Sequence, residues 1–427
     1  MNASISKIAV IGLGNVGLPM SLLCLQQGFD VIGVDLKPDS VMTNIKNHYP
    51  ELLSYIQQDA FHISSHYCYV KEASAVLICV PTPLRQEEPD LHHVTDALEA
   101  LLPYLQPNQL IVLESSTYPG TTKKVMLPIL EKSGLRVGKD IFVGYSPERI
   151  DPGSDYTLKE IPKLVSGTTN DCLGKISTLY STMFSTVVPV SSTEIAEMTK
   201  LLENSYRLIN ISFINELAIL CDALQLDIWE VIDAAKTKPF GFAPFYPGAG
   251  IGGHCIPVDP LYLNWIASKA GKRSKFIEAA KEINGQMAQH IVSQLPKALS
   301  TAESGLKDTT VLVIGVTYKK DYPDIKGSTV LDLFTLLQQK QAVISYHDPY
   351  VPLLTIGDKV HYSTPLTVQT LASIDCVLIH TDHSSIPIQF LLDHAKVIYD
   401  TKNVTKNYTG KARVFRMGSG RNQQDQS

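Results

Sequence analysis

Hydrophobic residues in this chain gather into short unbroken runs, each followed by a stretch of helical period. Residues 8–11, 31–34, 75–80, 109–113, 141–145 and 163–166 are such runs. Apolar strands alternating with helices predict a parallel sheet covered on both faces, the doubly wound α/β arrangement. From Thr193 the pattern changes. Residues 194–224 hold no Pro or Gly, and Ile195, Met198, Leu202, Tyr206, Ile209, Phe213, Leu217 and Leu220 recur mostly at spacings of three or four. That period predicts one long helix, a natural spine between two domains. A further helix is expected over 227–236, and helices continue to about residue 299. A second αβ series opens at 311–316, with strands near 343–346, 376–380 and 397–399. The expected fold class is α/β, with a Rossmann-type domain at 1–192, a central helical domain at 193–300 and a Rossmann-like domain at 301–416. A polar tail, 417–427, is expected to be disordered.

The first strand runs into Gly12-Leu13-Gly14-Asn15-Val16-Gly17, and the second ends in Asp35. A glycine fingerprint between a strand and a helix, with an acid after the next strand, predicts a dinucleotide site. Gly12 makes the tight turn, Gly14 lets a pyrophosphate approach the backbone, and Gly17 lets helix and strand pack closely. Asp35 would accept from the adenosine ribose hydroxyls, which points to NAD. Lys37 could welcome a 2′-phosphate, but the Asp35 carboxylate would repel it. Three polar segments follow later strands: Val80-Pro81-Thr82-Pro83, Glu114-Ser115-Ser116-Thr117 and Ser146-Pro147-Glu148-Arg149. Their shared position predicts a common cleft at the carboxyl ends of the strands.

The most informative stretch is Gly250-Ile251-Gly252-Gly253-His254-Cys255-Ile256-Pro257-Val258-Asp259-Pro260. It sets a cysteine between a glycine run and a helix start, with Asp259 expected as N-cap and Pro260 at the first helical position. A thiol near the positive end of a helix dipole is favoured as thiolate, which suits a nucleophile. A buried structural cysteine and a merely capping aspartate are the plain alternatives. Lys200 and Asn204 lie four apart on the spine helix and project from one face. Residues 238–248 form a Pro/Gly/aromatic loop, too apolar for an idle linker, which is expected to make a pocket wall or a subunit contact. In the last domain, residues 317–328 concentrate lysines at a strand end, which suits phosphates.

Composition narrows the classes. A length of 427 residues suggests two or three domains, and a net charge of −5 argues against a broad nucleic-acid footprint. No apolar run is long enough to cross a bilayer, and residues 1–7 lack the regions of a signal peptide. The seven cysteines are scattered without CxxC pairs, which suggests reduced thiols in a cytoplasm. The histidines form no ligand cluster, so no metal site is expected.

Taken in order, these motifs resemble the UDP-glucose/GDP-mannose dehydrogenase family from Lys7 to about Arg416. The matching features are the glycine fingerprint with Asp35, VPTP at 80–83, ESST at 114–117, SPER at 146–149, KxxxN at 200–204, GGHCxPxD at 252–259 and YKxDxxD at 318–324. The phrase KPFGFAPFYPGAGIGGHCIPVDP is similar to the branch that oxidises UDP-N-acetylhexosamines, UDP-N-acetylglucosamine in particular. Val258 stands where hexose-oxidising members usually carry lysine, and Lys326-Gly327 where many members show Arg-Glu. The resemblance implies a C-terminal UDP-binding domain and a four-electron oxidation of the sugar C6 alcohol with NAD, for surface polysaccharide precursors. Cys255 would hold the aldehyde as a thiohemiacetal and then as a thioester. Lys200 would stabilise oxyanions with Asn204 beside it, and Thr117, Glu148 and Asp259 match positions that orient or activate water. Whether Lys200, Asp259 or a water removes the first proton stays open.

By the same resemblance, Gly12, Leu13, Gly14, Asn15, Val16, Gly17, Asp35, Thr82, Thr117 and Cys255 would meet NAD. Glu148, Arg149, Lys200, Asn204, Tyr246, Gly252 and Lys319 would meet the UDP-sugar, and Lys238 a neighbouring subunit's site in a homodimer or higher homo-oligomer. The alternatives are UDP-glucose, UDP-N-acetylmannosamine or UDP-N-acetylgalactosamine as substrate, or a two-electron 3-hydroxyacid-type dehydrogenase. The last would require neither Cys255 nor a third domain. A non-catalytic binding protein would have no need of Cys255, Lys200 and Asn204 together.

Overall fold

The computed structural model describes residues 6–150, 156–301, 305–356 and 359–420. They divide into two compact units, Met1–Glu203 with Val258–Arg273, and Asn204–Pro257 with Ser274–Ser427.

The sheet of the first unit comprises β1 (Lys7–Ile11), β2 (Asp30–Val34), β3 (Phe61–Ser64), β4 (Ala75–Ile78), β5 (Leu110–Leu113), β6 (Phe142–Tyr145), β7 (Lys163–Gly167) and β8 (Val187–Pro189). Their spatial order is β8-β7-β6-β5-β4-β1-β2-β3. Strand order reverses between β1 and β4, so the glycine turn after β1 lies at the switch point where such sheets bind ligands. Ile8 and Val10 enter one apolar cluster while Ala9 and Ile11 enter another, so both faces are covered. This explains why the strand reads as an unbroken apolar run. The pairing departs from all-parallel at β6–β7, where Gly144 faces Gly167 and Tyr145 faces Ser166 antiparallel. β3 and β8 were not evident in the sequence. Both are sheet edges: β3 is interrupted by outward-facing His62, and β8 is a three-residue Val-Val-Pro strand, with Val188 and Pro189 exposed, too short and too proline-marked to read as a strand.

The second unit carries a five-stranded parallel sheet: β9 (Thr310–Ile314), β10 (Val343–His347), β11 (Cys376–Ile379), β12 (Val397–Asp400) and β13 (Arg413–Arg416), in the order β10-β9-β11-β12-β13. A small antiparallel ladder pairs Leu353–Ile356 with Lys359–Tyr362. The spine helix spans Thr193–Leu224, 32 residues. The next, Ile228–Ala235, is capped by Asp227, whose side chain accepts from the Trp229 and Glu230 amides. Order extends beyond the expected start of the tail. Met417 is fully buried, its carbonyl accepts from Trp229 Nε1 at 2.9 Å, and Gly418 accepts from the Ile228 amide at 2.8 Å. Residues 421–427 lie outside the described residues. Among the described residues no helix is long and apolar enough to cross a membrane, and no group of His, Cys, Asp or Glu is placed to hold a metal.

Candidate active site

The first unit assembles the glycine turn and most of the strand-end motifs. Gly12 has φ +87°, and a Cβ there would stand 2.9 Å from the Cys79 carbonyl. At Gly17 it would stand 1.9 Å from the Gly12 carbonyl oxygen, whereas at Gly14 it would meet nothing within 4 Å. The outer glycines are therefore required by packing, and the middle one leaves open the approach that a pyrophosphate needs. The helix Gly17–Gln26 starts with no side-chain cap at Val16, and a helix N-terminus of this kind suits an anion. The Asp35 carboxylate accepts from the Leu13 amide and the Lys37 amide, each at 2.9 Å. It is thereby pinned beside the turn, and the residues present fit a dinucleotide. Asn15 is exposed and Val16 half-buried at this rim.

The three polar segments are tied together by hydrogen bonds. Thr82 Oγ1 donates to the Ser116 carbonyl at 2.7 Å, and Ser115 Oγ to the Val80 carbonyl at 2.7 Å. Buried Lys163 joins the other two: its Nζ donates to Glu114 and, at 3.2 Å, to the Pro147 carbonyl. The Tyr180 hydroxyl also donates to Glu114. Glu114 of the ESST motif is thus a buried carboxyl held by two buried donors. Burial still pushes its carboxyl above the usual range, against the pull of Lys163.

Thr117 and Glu148 are buried, as is Lys200, whose Nζ donates to the Glu148 carbonyl. The Glu148 side chain accepts from the Ile150 amide at 2.5 Å. Arg149 pairs with Glu203 at 2.6 Å. Asp259 corrects an expectation. It is the first residue of the helix Asp259–Lys269, with Pro260 second, and Val258 occupies the N-cap with no side-chain cap bond. Val258 already has helical backbone, and Leu261 donates to the Val258 carbonyl at 2.9 Å, so the N-cap position falls on Val258 rather than Asp259. Asp259 is nonetheless buried, on the same unit as Thr117 and Lys200.

Asn204, Tyr246, Gly252, Cys255, Lys319 and Lys238 belong to the second unit. Asn204 is buried. Cys255 is exposed, while Cys24, Cys79, Cys172, Cys221 and Cys376 are buried and Cys68 is intermediate. Burial pushes the Cys79 thiol up, and the Cys376 thiol up to about 12. Only Cys255 combines exposure with a glycine-bordered bend.

The glycines of its motif serve a use that the sequence did not suggest. A Cβ at Gly252 would lie 2.5 Å from the Gly327 carbonyl oxygen, and one at Gly253 would lie 2.8 Å from the Tyr318 ring. The Gly253 amide donates to Gly327 at 3.1 Å, and His254 pairs with Asp324 at 3.2 Å. The cysteine segment is seated on the lysine-bearing loop 317–328, and Gly327 has φ +72°. Asn284 holds the other side, accepting from the Ile251 amide and donating to its carbonyl, while Asn215 accepts from the Gly248 amide. Lys319, half-buried in that loop, takes the Thr317 hydroxyl on its carbonyl at 2.8 Å. Tyr246 stacks on Trp229, with ring centroids 6.2 Å apart. It lines a cavity of about 390 Å³ with Asp382, Lys402 and Lys406. Burial holds the Lys402 ammonium below its ordinary pKa. Lys238 lies in an exposed loop, 5.1 Å from the Phe240 ring.

Sequence reasoning missed Lys163, Glu197, Asn215, Asn284, Asp324 and Gly327 as contributors to this architecture. Asp324 and Gly327 were quoted only as parts of motifs. The others carry no local signal, since their partners lie 16 to 77 residues away.

Comparison with known proteins agrees with this geometry. Residues 6–184 match the NAD binding domain of the UDP-glucose/GDP-mannose dehydrogenase family, residues 194–286 its central domain, and residues 312–407 its UDP binding domain. The chain is 32% identical to the UDP-N-acetyl-D-glucosamine 6-dehydrogenase of Pseudomonas aeruginosa, over 93% of this chain and 96% of that one. It is 31% identical to a UDP-N-acetyl-D-mannosamine dehydrogenase of Methanococcus maripaludis, over 97% of each. The solved UDP-D-ManNAc dehydrogenase of Pyrococcus horikoshii superposes with a TM-score of 0.86 at 28% identity, covering 97% of this chain and 99% of that one. With an NAD-binding domain, a central helical domain and a UDP-binding domain matched in order, the chain belongs to the UDP-glucose/GDP-mannose dehydrogenase family, as an NAD-dependent oxidoreductase of nucleotide sugars.

Proposed function

We propose that the chain oxidises the C6 alcohol of a UDP-N-acetylhexosamine, UDP-N-acetylglucosamine by preference, to the uronic acid, with Cys255 as nucleophile. The observation that carries this reading is the exposed Cys255 thiol in its glycine-bordered bend. NAD supplies the hydride acceptor for both oxidations. The C6 hydroxyl proton passes to Lys200, Asp259 or a water. The Cys255 sulfur adds to the aldehyde carbon, a bond that keeps the intermediate from escaping. Lys200 and Asn204 stabilise the developing oxyanions. After the second oxidation, water attacks the thioester carbon and the Cys255 thiolate leaves, with Thr117, Glu148 and Asp259 orienting that water. Labour is divided among 1–192, 193–300 and 301–416, with Arg149, Tyr246, Gly252 and Lys319 on the UDP-sugar. Tyr206, Phe213, Leu220 and Leu224 stay about half exposed along the spine helix, which suits burial against a second copy. The Lys238 loop would then reach that copy's site.

The test is a panel of UDP-sugars assayed with NAD. UDP-N-acetylglucosamine is expected to give a higher kcat/KM than UDP-glucose, and the reverse order would sink the branch assignment. The second reading, UDP-N-acetylmannosamine, is favoured by the Methanococcus and Pyrococcus relatives, and a higher kcat/KM with that sugar would select it.

Cofactor choice gives a separate expectation. NAD should be preferred over NADP because the pinned Asp35 carboxylate repels a 2′-phosphate. Replacing Asp35 by Ala should weaken NAD binding about tenfold or more, since a hydrogen bond to a charged group is worth about 1.5–3 kcal/mol. Equal efficiency of the native enzyme with both cofactors would refute it.

A further inference from the structure

We propose that Glu197 is a positioning residue of the reaction centre, its carboxylate fixing the turn that follows Thr117 and so holding the Thr117 hydroxyl in place. The proposal rests on the dehydrogenase reading above and adds a residue to it.

Glu197 lies on the spine helix three residues before Lys200, one turn away on the same face. It is fully buried. One carboxylate oxygen accepts from the Gly120 amide at 2.5 Å. The other accepts from the Thr122 amide at 2.8 Å and from Thr122 Oγ1 at 2.7 Å. These donors open the helical segment after the Thr117-Tyr118-Pro119 corner, so a side chain from another helix supplies its cap. The corner itself has only the Thr121 hydroxyl and amide on the Tyr118 carbonyl, at 2.8 and 3.1 Å, to brace it from within.

The corner presents something that needs bracing. Thr117 Oγ1 and the Tyr145 hydroxyl are both fully buried and lie near one another, yet neither makes a hydrogen bond of good geometry within the protein. Burial, and after it the charges of Glu197 and Asp259, raise the Tyr145 pKa. Buried hydroxyls left incompletely satisfied by the protein are groups that a bound substrate or water satisfies. Their direction then depends on what holds the backbone of residues 117–122, and that is Glu197.

The chemistry of this brace makes it separable from mere packing. Burial pushes the Glu197 carboxyl up to about 7, against the three hydrogen bonds that favour its ionised form. Facing it are Tyr118 in the turn, Tyr145 on β6 and, one turn earlier on its own helix, Glu194, which pairs with Lys123 at 2.9 Å. Lys200, one turn later, is committed to the Glu148 carbonyl. Above pH 7 the carboxylate accepts all three donors. Below it, one oxygen carries a proton and the brace loosens. The rate should therefore fall on the acid side of about pH 7, without loss of substrate affinity.

The experiment compares the native enzyme, Glu197→Gln and Thr122→Ala in steady-state kinetics with UDP-N-acetylglucosamine and NAD between pH 5.5 and 9. Glu197→Gln is expected to lower kcat by about 10- to 100-fold, with both KM values within about twofold of native, since small misplacements near reacting atoms carry costs of that order. The acid limb near pH 7 should vanish. Thr122→Ala removes one bond that favours the carboxylate, so its limb should move to higher pH with a smaller loss of kcat. This milder variant keeps the question answerable if Glu197→Gln folds poorly. An unmoved limb in Thr122→Ala, or native kcat in a folded Glu197→Gln, overturns the positioning role while leaving the dehydrogenase reading intact. A native enzyme inert towards every UDP-sugar overturns both.

Discussion

Replacing Cys255 by Ala is expected to abolish acid formation while NAD and UDP-sugar binding persist. The expected loss in kcat is about 10⁴-fold or more, the scale on which removal of a nucleophile acts. The structure separates this from a stability effect. Cys255 is exposed, so losing its sulfur costs the fold within about 0.5 kcal/mol. A buried cysteine such as Cys79, just after β4, would behave in the opposite way, lowering stability and leaving the chemistry in place. The measurement is the ratio of NADH to sugar acid, with two expected for the native enzyme, alongside ligand binding by the Ala variant. Near-native acid production by a folded Cys255→Ala protein would end the covalent mechanism.

The second large effect is on stability. Lys163→Met should destabilise the first unit by about 3–5 kcal/mol, because it strands a buried carboxylate. The side chains of Lys163 and Glu114 are 3% and 0% exposed, so no solvent replaces the lost ammonium. Glu114 would keep only the Tyr180 hydroxyl. The pH dependence has a definite sign. Burial already raises the Glu114 pKa, and removing Lys163 raises it further. An acid whose folded pKa exceeds its unfolded value gives stability that is full below the unfolded pKa and lost as pH rises through the folded one. The deficit of Lys163→Met should therefore be small near pH 4.5 and grow towards pH 8, with Lys163→Met/Glu114→Gln recovering much of it. Chemical denaturation at the two pH values checks this. A deficit independent of pH would mean that the ion pair is not the cause.

What could be read from the chain follows from where the physics is local. β1, β4, β5, β9 and β11 are covered on both faces and therefore appear as unbroken apolar runs. β13 reads Arg-Val-Phe-Arg and pairs on one side only, so nothing in its sequence demanded a strand. The glycine turn was legible because backbone geometry restricts those positions to glycine whatever the rest of the chain does. The Asp259 cap was misjudged because a Pro at the second helical position is as acceptable as one at the first, and the two differ only in the backbone of Val258. The braces of the site were invisible for a different reason. Glu197 reaches the turn at residues 120–122, and Asn284 reaches Ile251, across separations that local pattern does not encode.

The seating of the cysteine segment on the loop at 317–328 bears on how members of such a family can be recombined. Gly253 and Gly327 touch backbone to backbone, His254 pairs with Asp324, and Arg416 reaches back to Asp227 at 2.7 Å. A crossover placed at the apparent boundary near residue 300 would separate all three pairs and join halves that were never selected together. The Lys326-Gly327 pair cannot be exchanged alone for a bulkier one, because a Cβ at 327 would stand 2.9 Å from the Gly253 carbonyl oxygen. Chimeras meant to transfer substrate preference should therefore carry residues 204–257 and 274–420 from one parent, as a single inherited block.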